Sequence, residues 1–159
     1  MSTAVLFVCL GNICRFPLAE AALRAEAERR GLEVDVDSAG TGDWHVGHAP
    51  DPRAQAVARR NGLNIAHLRA RQVSREDFDR FDHIIALDGQ NLRNLATMQQ
   101  PGSRAGISLL LDHIPGREGA DVVDPYYGAD AGFDVTWSDV TEGARALACK
   151  IMAGDQTSR

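Results

Sequence analysis

The sequence lacks most of what marks the specialised protein classes. It has three cysteines in 159 residues, too few for a disulfide framework. No apolar run approaches the roughly 20 residues of a membrane span, so no membrane association is expected. The first apolar stretch, Ala4 to Leu10, has no basic segment before it and is too short for a signal peptide. We find no internal repeat, low-complexity tract or linker. Positive charge is not in excess either, since 17 Lys and Arg face 22 Asp and Glu for a net charge of −5. Nucleic acid is therefore not expected as a partner, because binding a phosphate backbone calls for a basic surface. Any anion site must be local, built from a few placed donors.

What remains is the composition of an ordinary globular protein, 44% apolar and 25% charged. Its length suits one domain with a full hydrophobic core, expected over residues 1–159. Strand and helix patterns alternate, the signature of an α/β layer fold. Ala4–Val8 is apolar throughout and reads as a central strand covered on both faces. Glu33–Ser38 alternates acid and valine, as an edge strand with one wet face does. His83–Leu87 and Ile107–Leu111 read as two further covered strands.

The helices have readable ends. Pro17 opens an Ala-rich helix over 18–30, closed by Arg29-Arg30-Gly31. Asp51-Pro52 starts a second, which stops at Asn61-Gly62. Ser74-Arg75-Glu76-Asp77 resembles a capping box for a short helix. Asp88 caps a helix running to about Gln99. The last helix sets Trp137, Val140, Ala144, Leu147 and Ile151 on one stripe. The expected fold is a three-layer α/β sandwich: a central four-stranded parallel sheet in the order 2-1-3-4 with helices on both faces.

In such a sheet, ligands bind beyond the carboxyl ends of the strands. Cys9 lies there after the first strand, Ser38-Ala39-Gly40 after the second and Asp88 after the third. The long segment from Asp112 to Asp134 brings Asp124 to the same rim. Cys9 opens a loop, Leu10-Gly11-Asn12-Ile13-Cys14, that ends in Arg15. Gly11 and Asn12 tolerate the left-handed backbone of an anion nest. Strand, nest and proline-led helix converge backbone N–H groups on one anion. A guanidinium matches phosphate oxygens two at a time. The same positive surroundings lower a cysteine pKa, so Cys9 is expected to be a thiolate aimed at a bound phosphate or similar oxyanion. That is phosphoryl transfer through a phosphocysteine, and it suits a reducing cytoplasm. Asp124, stiffened by Pro125, is placed to protonate a phenolate, whose conjugate acid has a pKa of about 10, and afterwards to activate water.

These residues resemble the low-molecular-weight protein tyrosine phosphatase family over nearly the whole chain. The resemblance rests on Val8 to Arg15, Ser38-Ala39-Gly40, Gly47 with Pro50-Asp51, and Asp124-Pro125-Tyr126-Tyr127. It implies Cys9 as nucleophile, Arg15 as phosphate clamp and Asp124 as acid and base. It implies Asn12, Ser38 and His67 as a hydrogen-bond network that shapes the loop. Trp44, Tyr126 and Tyr127 would wall the aromatic pocket for a phosphotyrosine-containing protein, without cofactor or metal. Cys14 would sit beside Cys9, either as a trap for the oxidised nucleophile or as a small packed side chain. Cys149, on the last helix, reads as structural.

One position departs from the family pattern. Phe16 stands where the family has a serine or threonine whose hydroxyl donates to the nucleophile's sulfur. Losing a hydrogen bond to a charged group costs roughly 1.5–3 kcal/mol, so a slowed enzyme is expected. His45 and His48 are spaced H-x-x-H without an accompanying ligand pattern, which argues against a metal site. Asp88, a helix cap, also lies close enough to orient Arg15. Three other functions fit part of the pattern. An arsenate reductase would need further cysteines for a relay. A phosphotyrosine-binding protein with little turnover would owe it to Phe16. A phosphocysteine carrier would be discharged by Asp124.

Overall fold

The computed structural model describes residues 3–10, 15–42, 46–103, 105–123 and 131–157. Four strands form one sheet: β1 Thr3–Cys9, β2 Val34–Gly40, β3 His83–Ala86 and β4 Gly106–Leu109. Their order is β2-β1-β3-β4, every pairing parallel, as the sequence predicts. The α-helices among the described residues are α1 Arg15–Arg30, α2 Pro52–Arg60, α3 Asp77–Arg80, α4 Gly89–Met98 and α5 Ala131–Thr157.

The period of two along β1 divides the core. Val5, Phe7 and Cys9 face the layer that contains α1, α2 and α5, together with Val36, Ile85, Leu87 and Phe133. Leu6 and Val8 face the opposite layer of α3 and α4, with Ile84, Ala86, Phe78 and Leu95. Both faces of the central strand are thus covered, which is why its sequence is apolar without alternation. The stripe expected on α5 is the packed one: Val140, Ala144, Leu147 and Ile151 are buried, and Trp137 is partly so.

The caps follow the sequence. Asp51 accepts from the Arg53 N–H at 2.8 Å, and Asp88 accepts from the Asn91 N–H at 2.8 Å, each satisfying an orphan donor of its helix. The Ser74 box forms in part. The Ser74 N–H donates to Asp77 at 2.8 Å, but the regular helix starts only at Asp77. The intervening residues are held as a turn by the Asp77 N–H on the Ser74 carbonyl.

The end of β4 differs from the expected strand Ile107–Leu111. Leu110–His113 is a 3₁₀ turn. Asp112 bends the chain back by accepting from the Leu109 N–H at 3.0 Å. Leu110 and Leu111 are fully buried, the turn packing against α5, and an apolar run by itself does not distinguish a buried turn from a strand. In the other direction, β2 runs to Gly40, whose N–H and C=O pair with the Arg71 carbonyl and the Val73 N–H.

The turn at Leu110 sets a tight contact with α5. A Cβ on Gly143 would lie 2.5 Å from Leu110 Cγ and 2.9 Å from both of its methyls. Gly143→Ala is therefore expected to destabilise the fold by about 1–3 kcal/mol through overpacking, despite the better helix propensity of alanine. Urea unfolding of both proteins, compared at equal m value, measures it.

Candidate active site

Cys9 closes β1 with its side chain fully buried, and the next residue, Leu10, is 41% exposed. The chain thus leaves the core within one step. Backbone bonds from the end of β2 fix that exit: the Thr41 N–H donates to the Cys9 carbonyl at 2.9 Å and the Gly42 N–H to the Leu10 carbonyl at 2.8 Å. The loop resumes at Arg15, the first residue of α1.

Arg15 is only 2% exposed. A guanidinium does not lose its proton in a protein, so burial must be matched by acceptors. Its Nη1 donates to Asp88 Oδ2 at 2.7 Å and to the Val122 carbonyl at 2.9 Å. Both acceptors are themselves anchored. The Val122 N–H donates to the Leu87 carbonyl at 2.7 Å, and the Leu87 N–H to the Val8 carbonyl at 3.1 Å. Asp88 Oδ1 accepts from the backbone and side chain of Asn91, at 2.8 and 2.6 Å. One carboxylate therefore caps α4 and grips Arg15.

Burial pushes the Asp88 carboxyl up, but the Asn91 N–H and the Arg15 guanidinium outweigh it, so its pKa lies below the usual value. Asp88 is held as an anion. The cation it holds stands at the N-terminus of α1, where the helix dipole adds positive potential. A nucleophilic side chain, a buried cation and a helix start share one end of the sheet. That arrangement can bind a tetrahedral anion and present it to sulfur.

Comparison with known proteins decides the family. Residues 4–157 match the model of the family described as low molecular weight phosphotyrosine protein phosphatase. This chain belongs to that family. The phosphotyrosine protein phosphatase of this class from Schizosaccharomyces pombe is 50% identical over 132 residues, 81% of this chain and 84% of that one. The low molecular weight protein-tyrosine-phosphatase YfkJ of Bacillus subtilis is 48% identical over 155 residues, 96% of this chain and 98% of that one. Among solved structures, a protein tyrosine phosphatase from Entamoeba histolytica superposes with a TM-score of 0.90 at 33% identity, covering 97% of this chain and 99% of that one.

Against the family pattern, the described residues sort as follows. Cys9, Leu10 and Arg15 lie at the carboxyl end of β1, and Ser38 is buried in β2. Gly11, Asn12, Ile13, Cys14, Trp44, Asp124, Tyr126 and Tyr127 lie outside the described residues. His67 is exposed. The Ser38 hydroxyl has a partner that the sequence reading missed: it donates to Glu20 Oε1 at 2.7 Å, and Glu20 Oε2 accepts from Arg24 Nε at 2.9 Å. A hydroxyl has one proton. With that proton directed at Glu20, Ser38 offers its surroundings lone pairs only, so it can hold an N–H but cannot donate to a sulfur.

Glu20 left a weak signal. Paired with Arg24 at i,i+4 it reads as a surface ion pair, yet it is four residues from Phe16 and three from Leu23 on the buried face of α1. The Val122 carbonyl, being backbone, left none. Phe16 is 2% exposed within the core that α1 shares with α2 and α5. The residue after the arginine is thus a core anchor here. Among the described residues, no group of three His, Cys, Asp or Glu is placed to hold a metal ion, and no helix is long and apolar enough to cross a membrane.

Asp88→Asn tests the grip on Arg15, because asparagine caps a helix about as well as aspartate. A carboxyl with a lowered folded pKa contributes stability that is full above its ordinary range and is lost as pH falls through the folded value. The stability gap between the native protein and the variant should be largest near neutral pH and close on acidification. Chemical denaturation from pH 7 down to pH 3 reads it, and a gap that does not vary with pH would mean the ion pair contributes nothing.

Proposed function

We propose that this chain hydrolyses phosphotyrosine monoesters in proteins through a phosphocysteine, with residues 1–159 acting as one catalytic domain in a reducing compartment. The observation that carries the reading is the withdrawn Arg15, gripped by Asp88 and the Val122 carbonyl, at the far end of the loop that starts at Cys9. The loop N–H groups from Leu10 to Arg15, with Gly11, Asn12, Ile13 and Cys14 between them, would hold the phosphate oxygens. The Cys9 thiolate attacks phosphorus while the phenolic oxygen leaves and takes a proton from Asp124. Water then attacks the phosphocysteine and gives a proton to the Asp124 carboxylate, releasing inorganic phosphate and the thiolate. Ser38, with its proton committed to Glu20, would accept from Asn12. Trp44, Tyr126 and Tyr127 would flank the phenyl ring. No step uses a metal or cofactor.

An arsenate reductase relay fits this chain poorly. Cys149 lies against Arg30, its Sγ 3.2 Å from Nη1. Arg30 ends the helix that Arg15 begins, about 22 Å along its axis at 1.5 Å per residue. A thiol at that distance cannot resolve a disulfide with the loop.

Steady-state turnover of p-nitrophenyl phosphate and of a phosphotyrosine peptide tests the reading, with Cys9→Ser expected to abolish both. Asp124→Ala should lower kcat strongly on phosphotyrosine, whose leaving group needs a proton. It should lower kcat far less on an aryl phosphate with an acidic phenol. Equal losses on the two substrates would assign the acid to another residue.

Phe16→Ser tests the missing hydroxyl. If it limits phosphoenzyme hydrolysis, restoring it raises kcat by roughly ten- to a hundredfold and lowers the pH at which Cys9 is alkylated. Emptying the Phe16 site costs about 3–5 kcal/mol of stability, so both proteins are assayed at a temperature where circular dichroism shows them folded. A folded variant with unchanged kcat would show that the hydroxyl is not needed.

A further inference from the structure

The chain that leaves the sheet at Leu109 comes back to it at residues 121–123, and each of these residues is tied to another part of the fold. The Asp121 carboxylate accepts from the Gly89 N–H at 2.8 Å, across 32 residues of sequence. The Val122 N–H donates to the Leu87 carbonyl at 2.7 Å, and the Val122 side chain is fully buried. The Val123 carbonyl accepts from Thr136 Oγ1, on α5, at 3.2 Å. Between these ties lies the Val122 carbonyl, which takes Arg15 Nη1 at 2.9 Å.

Gly89 opens α4, and its N–H is among those that a helix start leaves without an internal partner. Asp88 serves the Asn91 N–H of the same turn at 2.8 Å. Two carboxylates therefore share the positive end of α4. Asp88 reaches Arg15 directly, while Asp121 is connected to it through the carbonyl of the next residue. Asp121 is exposed, and α4 already has its cap in Asp88. What the bond to Gly89 adds is register, because it fixes where residue 122 lies against the corner between β3 and α4.

We infer that Asp121 is a positioning residue for the phosphate clamp: docked on the N-terminus of α4, it sets the Val122 carbonyl where Arg15 meets it. The inference rests on the function proposed above, which gives Arg15 its phosphate, and it adds a residue that acts on that clamp through Val122. A guanidinium is planar with its N–H groups in fixed directions, so an acceptor held on Nη1 orients the whole group. An acceptor that drifts lets the plane turn and spoils the two-point contact with phosphate oxygens.

Asp121→Ala and Asp121→Asn test the inference together. Both variants lose the same charge, but asparagine keeps an acceptor for the Gly89 N–H, so the difference between them isolates that bond. Removing an exposed carboxyl leaves the core packing intact, and circular dichroism confirms that both proteins are folded. The readouts are the inhibition constant of inorganic phosphate and kcat/KM for p-nitrophenyl phosphate, whose acidic phenol leaves without a proton donor. The alanine variant should bind phosphate more weakly than the asparagine variant, and have the lower kcat/KM, by about two- to tenfold for one hydrogen bond. The asparagine variant should stay close to the native protein in both. Equal phosphate constants in the two variants overturn the inference and leave Asp121 a surface residue. A loss confined to a phosphotyrosine peptide, with p-nitrophenyl phosphate spared, also overturns it and places the effect at the proton donor. In either case the native protein still turns over and the phosphatase reading stands. No turnover of either substrate by the native protein overturns that reading and this inference with it.

Discussion

A guanidinium withdrawn from water fixes whatever it touches, because breaking a buried ion pair leaves an uncompensated charge at a cost of about 3–5 kcal/mol. Arg15 touches three parts of the fold at once. It begins α1, it pairs with the cap of α4, and it takes the carbonyl of a residue whose own N–H is bonded to Leu87. The start of one helix, the start of another and the end of the segment after β4 are thus pinned to the carboxyl edge of the sheet. The loop between Cys9 and Arg15 is anchored at both ends, by the buried strand on one side and the ion pair on the other. Fixed end points of that kind are what preorganised anion binding and transition-state stabilisation require.

The same helix supplies a second constraint from its buried face. Phe16, Glu20 and Leu23 are all buried, two apolar and one charged. Phe16 fills the core, while Glu20 accepts hydrogen bonds from the Ser38 hydroxyl and the Arg24 guanidinium. As the acceptor, Glu20 sets the direction of the Ser38 hydroxyl. In the family pattern the residue at position 16 donates a proton to sulfur. In this chain that position packs in the core, and neither Phe16 nor Ser38 is able to make the donation. Under the proposed function, a slowed phosphoenzyme step follows from these two residues.

Much of this was legible in the sequence because it depends on periodicity and spacing. Alternating strands and helices gave the sheet order, and the topology of a parallel sheet placed Cys9, Ser38 and Asp88 on one rim. Cap residues marked where α2 and α4 begin. Features that depend on three-dimensional acceptors were hidden. Nothing in the identity of Val122 announces that its carbonyl will receive Arg15, since every residue but proline carries the same backbone groups. Leu110 and Leu111 read as strand because apolar runs are ambiguous, and the bond from the Leu109 N–H to Asp112 turned them into a 3₁₀ turn. Glu20 was not singled out, because burial of a charge is a tertiary fact that helical spacing only hints at.

The electrostatics of Asp88 also bear on which aspartate can serve as the acid. A general acid must hold a proton near neutral pH, and the ideal catalytic pKa lies close to the working pH. Asp88 is driven the other way, by the Asn91 N–H at the positive end of α4 and by Arg15, so it is ionised throughout the neutral range. Asp121 is exposed and accepts the Gly89 N–H. Asp88 is therefore committed to structure as an anion. A carboxyl held as an anion is a poor proton donor, which is why the proposed mechanism leaves Asp88 to hold the cation and takes the proton from another aspartate, Asp124 by the family pattern.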